Sequence, residues 1–149
     1  MNVAFAADHA GWPLRARILE ELRIAGHEAI DVGTAVMVPG DDYPDAAAAV
    51  ARAISEGRAE RGVLVCGSGV GACIAANKVR GIRACMCHDS FSARQGVEDD
   101  DMNVLALGAR VVGEGLAVEL LRDFLGARFS GAERHRRRVA KIAALEHGP

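Results

Sequence analysis

Aromatic residues are scarce in this chain of 149 residues, where Phe, Tyr and Trp together make up 4%. Proteins that hold single-stranded nucleic acid stack the bases on aromatic side chains set among basic ones. Only one Trp and one Tyr are present, and the formal net charge is -2, so the chain has no excess of positive charge for a polyanion. The composition therefore argues against nucleic acid as a partner.

Long hydrophobic runs are also missing. No apolar segment approaches the roughly 20 residues that a membrane-spanning helix needs. Residues 1–7 have no basic stretch ahead of their apolar side chains and lead directly into Asp8, unlike a secretory signal peptide. We therefore expect a cytoplasmic protein that makes no membrane contact.

Cysteine occurs only four times, at positions 66, 73, 85 and 87. A chain in which 50% of the residues are hydrophobic can bury a sizeable core without disulfide bonds, so free thiols are expected. Cys85 and Cys87 stand too close together for the usual zinc-ligand spacing, and no second pair of Cys or His lies at ligand distance. We expect neither a metal ion nor a cofactor.

Short apolar segments alternate with longer amphipathic ones along the whole chain. The short segments predict strands at 2–7, 28–32, 62–65, 82–87 and 104–107. The longer ones predict helices at 11–25, 44–56, 72–79, 90–97, 113–125 and 132–146. This alternation is typical of a single α/β domain, here residues 1–149, with a three-layer Rossmann-like or flavodoxin-like architecture. We expect a five-stranded parallel sheet with helices on both faces and a C-terminal helix.

Ligand-binding residues of such a sheet lie where the strands end. Four segments follow predicted strands and should meet along this edge: 8–9, 66–71, 88–89 and 108–110. The first, Asp8-His9, offers a carboxylate and an imidazole to a ligand, although Asp8 is equally suited to capping the following helix. Both interpretations of Asp8 stay open on the sequence.

A glycine-rich segment, Cys66-Gly67-Ser68-Gly69-Val70-Gly71, joins a predicted strand to a predicted helix. Backbone N–H groups at such a junction can converge on an anion, either a phosphate or an enediolate. A helix N-terminus also favours the thiolate form of a nearby cysteine, which suits Cys66 as a base or nucleophile. The simpler alternative is a tight turn beside a small buried thiol. The glycine spacing matches neither the dinucleotide fingerprint nor the P-loop.

Two charge clusters occur near the end of the chain. Residues 134–138 are basic, and Arg134 and Arg138 would share one face of a helix, either to hold a phosphate or as a solvated face. Residues 98–101 are acidic and indicate a solvated turn or a divalent-cation site, although without EF-hand spacing. A phosphate should bind away from these acids, near the arginines.

These motifs together resemble the ribose-5-phosphate isomerase B family, which includes galactose-6-phosphate isomerase subunits and tetrose-phosphate isomerases. The resemblance is collinear over nearly the whole sequence. It is carried by the segments 8–11, Asp42-Tyr43-Pro44, 66–71 with 74–78, 81–84, 103–105, 108–113, and Arg134-His135 with Arg138.

The resemblance implies a metal-free aldose–ketose isomerisation of a phosphorylated sugar through a cis-enediolate. It also implies a homodimer whose active sites are shared between subunits, with a tetramer as a further possibility. Cys66 would be the base and Ser68 would hydrogen-bond the sugar. The enediolate oxygen would be stabilised by the amides of Gly67, Ser68, Gly69, Val70 and Gly71. The other implied contacts are to the sugar from Asp8, His9 and Tyr43, and to the phosphate from Arg110, Arg134 and Arg138.

One pair of residues departs from the family pattern. Members that act on ribose 5-phosphate carry a histidine that opens the furanose ring, followed by an asparagine that contacts the sugar. Here these positions are Asp99 and Asp100. An aspartate of ordinary acidity is a poor proton donor at neutral pH. Asp99 is the candidate for the catalytic role of the histidine, and Asp100 can accept hydrogen bonds from sugar hydroxyls.

The default substrate pair is ribose 5-phosphate and ribulose 5-phosphate. A tetrose 4-phosphate cannot close a furanose ring because its C4 oxygen carries the phosphate, so its isomerase needs no ring-opening residue. Loss of the histidine is compatible with that substrate, and a hexose 6-phosphate is a further alternative. Outside the enzyme class, the alternative is a weakly catalytic partner subunit that binds a phosphosugar.

Overall fold

Five parallel strands form one sheet in the computed structural model, which describes residues 1–147. The strands are β1 (Asn2–Ala7), β2 (Glu28–Asp31), β3 (Arg61–Cys66), β4 (Ala84–Met86) and β5 (Val104–Gly108), in the spatial order β2-β1-β3-β5-β4. The helices are α1 (Trp12–Ile24), α2 (Tyr43–Ser55), α3 (Val70–Ala76), α4 (Ser90–Asp100), α5 (Glu114–Gly126) and α6 (Glu133–Leu145). The predicted α/β class, five-stranded parallel sheet and C-terminal helix are confirmed.

Side chains alternate between the two faces of the central strands and form two separate cores. One face is covered by α1 and α5 and contains large side chains such as Phe5, Ile18 and Phe124. The opposite face, covered by α2 and α3, is lined largely by small residues such as Ala4 and Ala106. Small side chains let the helices on that face pack close to the sheet. The three layers expected from the alternating pattern are present.

The acidic run belongs to a helix, which corrects the expectation of a solvated turn. The helix predicted at 90–97 continues as α4 to Asp100, and Asp101 ends it in the left-handed conformation with φ of 52°. Arg83 Nη2 donates to Asp101 Oδ2 at 2.6 Å, and Gln95 Nε2 donates to Asp99 Oδ2 at 2.9 Å. These contacts offset the repulsion among the neighbouring carboxylates, so the helix extends through them.

The other helix and strand boundaries lie close to those predicted, and α3 begins inside the glycine-rich segment, at Val70. Within residues 1–147, the helices are too short or too polar to cross a bilayer.

Phe124 tests the packing of α5 against the sheet, because its side chain is completely buried. We expect Phe124→Ala to lower the free energy of unfolding by about 3–5 kcal/mol, since it removes the contacts of the ring and leaves a cavity. Urea denaturation at a fixed protein concentration measures the loss. Leu116→Ala on the same helix is the control: Leu116 is 37% exposed, so its truncation should cost less than about 1 kcal/mol. Equal losses from both variants would contradict this assignment of the core.

Candidate active site

A cavity of about 320 Å³ opens where β1, β3 and β5 end. Its lining comes from the residues that follow these strands and from the start of α2 and α3: Asp8, His9, Ala10, Tyr43, Cys66, Gly67, Ser68, Gly71, Arg110 and Val111. Parallel strands place their carboxyl ends along one edge, so residues far apart in sequence meet there. The structure thus brings Asp8, His9, Cys66 and Arg110 together, as the strand pattern predicted.

The loop that follows β3 is held against the end of β5 by its backbone. Ala109 N–H donates to the carbonyl oxygen of Cys66 at 2.9 Å, and Arg110 N–H donates to that of Gly67 at 3.0 Å. The approach is so close that a Cβ on Gly108 would lie 2.5 Å from a carbonyl oxygen of the loop. This contact places Arg110 at the same cavity as Cys66.

Cys66 is the last residue of β3, and its side chain is buried. Gly69 N–H donates to Cys66 Sγ at 3.0 Å. Gly69 reaches that position with φ of 82°, a conformation that glycine adopts without the steric cost of a side chain. The hydrogen bond orients the sulfur and supplies a donor for negative charge on it.

The amides of the glycine-rich segment serve two different purposes. Gly69 N–H is bound to the sulfur of Cys66, and Val70 N–H donates to Ser68 Oγ at 3.3 Å. Neither Gly69 nor Val70 lines the cavity. The set of candidate amides for a ligand is therefore narrower than the sequence suggested: Gly67, Ser68 and Gly71 are the residues of the segment that line the cavity.

Asp8 combines the two roles left open on the sequence. Its carboxylate is buried, and Oδ1 accepts a hydrogen bond from Gly11 N–H at 2.8 Å, immediately before α1. The same side chain lines the cavity beside Cys66. Asp8 thus stabilises the turn that leads into α1 and presents its carboxylate at the site.

His9 is anchored by a residue that the sequence interpretation missed. Asp41 Oδ1 lies 2.9 Å from His9 Nδ1 and also accepts a hydrogen bond from the backbone N–H of His9 at 2.7 Å. The side-chain hydrogen bond to Asp41 raises the pKa of His9 above its ordinary value, and the negative charge of Asp8 adds to the effect. The only hint in the sequence was the acidic pair Asp41-Asp42 just ahead of α2.

Tyr43 and Arg110 also line the cavity. Tyr43 is the first residue of α2, and its ring packs directly against the backbone of Gly71. Arg110 follows β5 and is the only arginine among the described residues that line this cavity. One guanidinium is thus available within the chain to hold a phosphate here.

Four other predicted site residues lie elsewhere. Asp99 and Asp100 end α4, while Arg134 and Arg138 stand one turn apart on α6. None of the four lines the cavity beside Cys66. Asp100 instead lines a separate cavity of about 380 Å³. The described part of one chain therefore does not bring the phosphate-binding candidates of α6 to the thiol.

Asp99 and Arg134 are connected through a buried histidine. Arg134 Nε donates to His135 Nε2 at 2.9 Å, so the proton of the neutral imidazole is on Nδ1. That nitrogen lies 2.7 Å from Ser130 Oγ and 3.3 Å from Asp99 Oδ1. With Gln95 bound to the other oxygen, both carboxylate oxygens of Asp99 have partners.

The segment after the edge strand β4, residues 88–89, caps the N-terminus of α4. Asp89 Oδ1 accepts a hydrogen bond from Ser92 N–H at 2.7 Å and caps α4, and this contact lowers the pKa of Asp89. His88 and Asp89 do not line the cavity beside Cys66, although they follow a strand of the same sheet. Strand β4 lies at the edge of the sheet, beyond β5, which separates this segment from β1 and β3.

All four cysteines are free thiols. Across residues 1–147, no three or more His, Cys, Asp or Glu side chains are grouped so as to hold a metal ion.

The chain is similar in sequence and in fold to known sugar-phosphate isomerases. It is 44% identical to ribose-5-phosphate isomerase B of Escherichia coli (strain K12) over 97% of this chain and 96% of that protein. It is 40% identical to D-erythrulose-4-phosphate isomerase of Pectobacterium atrosepticum over 99% of this chain and 96% of that one.

Among solved structures, ribose-5-phosphate isomerase B of Mycoplasma genitalium with bound ribulose-5-phosphate matches with a TM-score of 0.93 and 37% identity. That match covers 99% of this chain and 97% of the other. The family model described as Ribose/Galactose Isomerase matches residues 3–142. The chain therefore belongs to the Ribose/Galactose Isomerase family.

Proposed function

We propose that this protein is an aldose–ketose isomerase that interconverts ribose 5-phosphate and ribulose 5-phosphate. The observation that carries the proposal is the placement of the Cys66 thiol, with the Gly69 amide on its sulfur, in one cavity with Asp8, His9 and Arg110. Family membership and the names of the similar isomerases support the reaction class. A cytoplasmic location is supported by four free thiols, which persist in a reducing compartment.

The reaction needs one base and a donor for a developing oxyanion. The Cys66 thiolate takes the proton from C2 of the open-chain aldose, and a proton returns to C1 of the cis-enediolate to give the ketose. C1 gains the electrons that C2 loses, so the conversion consumes no external oxidant or reductant. Negative charge on the enediolate oxygen is stabilised by the amides of Gly67, Ser68 and Gly71, which line the cavity.

The substrate phosphate calls for more positive charge than Arg110 alone provides. Arg134 and Arg138, on an exposed face of α6, are the candidates, but they lie outside the Cys66 cavity of their own chain. We propose that a second copy of the chain supplies them, together with Asp99 and Asp100, to complete each site.

Exposed apolar side chains support an association between two copies. Val70 and Ile74 on α3 are exposed next to the catalytic loop, and Ile142 and Leu145 on α6 are exposed on the helix that carries the arginines. Apolar side chains of this size gain free energy when a partner covers them. The homodimer is the smallest assembly that would bury both sets and join the loop to the arginines.

A tetrose 4-phosphate is the second candidate substrate. The observation that favours it is the hydrogen bonding of Asp99. Both carboxylate oxygens of Asp99 have partners within the chain, so this residue is engaged as an acceptor and is poorly suited to donating a proton to a ring oxygen. A tetrose 4-phosphate stays open-chain and needs no such donor. The similarity to D-erythrulose-4-phosphate isomerase is in line with this alternative.

Cys66→Ala tests the base. We expect kcat for ribose 5-phosphate to fall at least about 1000-fold, because the variant lacks the base proposed to move the proton between C1 and C2. Cys85→Ala is the matched control: Cys85 is an exposed free thiol that does not line the cavity beside Cys66, so its removal should leave kcat close to the wild-type value. Wild-type turnover by Cys66→Ala, with unchanged circular dichroism, would remove Cys66 from the mechanism.

Mixed dimers test the shared site. Cys66→Ala keeps its arginines, and the double variant Arg134→Ala/Arg138→Ala keeps its thiol. Co-expression of the two inactive chains should restore about a quarter of wild-type activity, since half of randomly formed dimers are mixed and each mixed dimer has one intact site. Purification through two different affinity tags isolates the mixed species. If these mixed dimers are inactive, the arginines and the thiol do not meet across subunits.

Asp99 can be tested with a small substrate panel. We expect Asp99→His to raise kcat/KM for ribose 5-phosphate by about tenfold and to leave erythrose 4-phosphate unchanged, because only the pentose must open a ring. Asp99→Asn is the control, since it removes the charge without adding a proton carrier. The same panel identifies the substrate: a higher kcat/KM of the wild-type enzyme for erythrose 4-phosphate than for ribose 5-phosphate would favour the tetrose reaction.

A further inference from the structure

His135 is the one buried side chain of α6, and it has no part in the proposed reaction. It is 3% exposed, whereas Arg134 and Arg138 on the same helix are exposed. A buried imidazole needs hydrogen-bond partners, because an unpaired polar atom away from water costs free energy. The partners of His135 therefore show what this helix is fixed to.

Both ring nitrogens of His135 have partners. Nε2 accepts the Nε–H of Arg134 at 2.9 Å, which puts the proton of the neutral ring on Nδ1. Nδ1 lies 2.7 Å from Ser130 Oγ and 3.3 Å from Asp99 Oδ1. The imidazole thus joins the first turn of α6 to the end of α4.

Ser130 is itself held by the backbone on either side of it. Its N–H donates to the carbonyl oxygen of Glu98 at 2.9 Å, and its Oγ accepts the N–H of Ala132 at 3.3 Å. Rotation of the imidazole would break the hydrogen bonds at both of its nitrogens. Nε2 of His135 is therefore a fixed acceptor for Arg134.

The contact with His135 occupies only one of the donor groups of Arg134. A guanidinium is planar, and its two Nη atoms carry the other four N–H donors. With Nε bound to the imidazole, the pair of Nη atoms remains for a bidentate contact with a phosphate. A long side chain that is already held in one orientation loses less conformational entropy when a ligand binds.

We propose that His135 is a positioning residue for the substrate phosphate: its Nε2 atom holds Arg134 in the orientation in which the Nη groups bind the phosphate. This inference rests on the proposed phosphate-binding role of Arg134. His135 is buried, so it acts on the ligand only through Arg134.

Two substitutions separate the two nitrogens of the ring. His135→Asn places its amide near the position of Nδ1 and removes the acceptor for Arg134, whereas the carbonyl oxygen of His135→Gln can take the place of Nε2. We expect His135→Asn to weaken the binding of inorganic phosphate about fivefold, measured by calorimetry on the full-length protein. His135→Gln should stay within about twofold of wild type. Equal weakening in both variants, with unchanged circular dichroism, would overturn the proposal.

A double-mutant cycle with Arg134→Ala tests whether His135 acts through the guanidinium. In the Arg134→Ala background, His135→Asn should change the phosphate affinity by less than about 1.5-fold, since the group that it orients is absent. A fivefold effect in both backgrounds would contradict the proposal.

Ser130→Ala takes the place of His135→Asn in this cycle if the buried substitution prevents folding. Ser130 is exposed, so its truncation removes a partner of Nδ1 without opening the core. It should weaken phosphate binding about threefold, and only where Arg134 is present. An effect of equal size in both backgrounds, or none in either, would count against a positioning role.

Steady-state kinetics give a second readout. We expect His135→Asn to raise KM for the phosphosugar about fivefold and to leave kcat within about twofold, because the phosphate is unchanged in the reaction and its binding stabilises substrate and transition state alike. Arg137→Ala removes an exposed arginine of the same helix and is the control, with both constants close to wild type. A fall in kcat with KM unchanged would be incompatible with the proposal.

Phosphate calorimetry requires no turnover. If Cys66→Ala kept wild-type activity, the isomerase mechanism would be refuted, and the cycle would still decide whether His135 positions Arg134. If Arg134→Ala bound inorganic phosphate as tightly as wild type, Arg134 would not be a phosphate ligand, and the role of His135 would fall with it.

Discussion

The site depends on the backbone contact between the loop after β3 and the end of β5. Two hydrogen bonds, from the amides of Ala109 and Arg110 to the carbonyls of Cys66 and Gly67, extend the pairing of these strands beyond the sheet. They fix the loop in a conformation in which Gly69 turns its amide back to the thiol. This contact places the backbone of Arg110 beside the loop that carries Cys66, so both residues line the same cavity.

The two different cores explain how α2 contributes to the same site. The face of the sheet beneath α2 and α3 is lined largely by small residues, among them Ala4, Ala6 and Ala106, so both helices lie close to it and to each other. Close packing brings Tyr43, at the start of α2, against Gly71 at the start of α3. The residues just before α2 are then within reach of the segment after β1, which is why Asp41 can hold His9.

Charge is distributed unevenly between the two parts of the proposed site. The cavity of Cys66 contains one arginine and a buried carboxylate, Asp8. The arginines of α6 stand apart, and one of them is linked through the buried His135 to Asp99 on α4. An interface between two copies that brings these parts together would place the phosphate at the arginine end and the reacting carbons at the thiol.

The sequence by itself determined the order and type of the elements, because the spacing of apolar residues is a local property that both helices and strands require. It also identified Cys66, Asp8, His9 and Arg110 as neighbours, since parallel strands must end along one edge. The sequence did not identify Asp41, because the contact between Asp41 and His9 spans 32 positions and depends on how closely α2 packs against the sheet. Tertiary structure also decided which loop amides are already hydrogen-bonded, which partners the Asp99 carboxylate has, and that Arg134 lies outside the cavity of Cys66. Each of these depends on distances that no local pattern encodes.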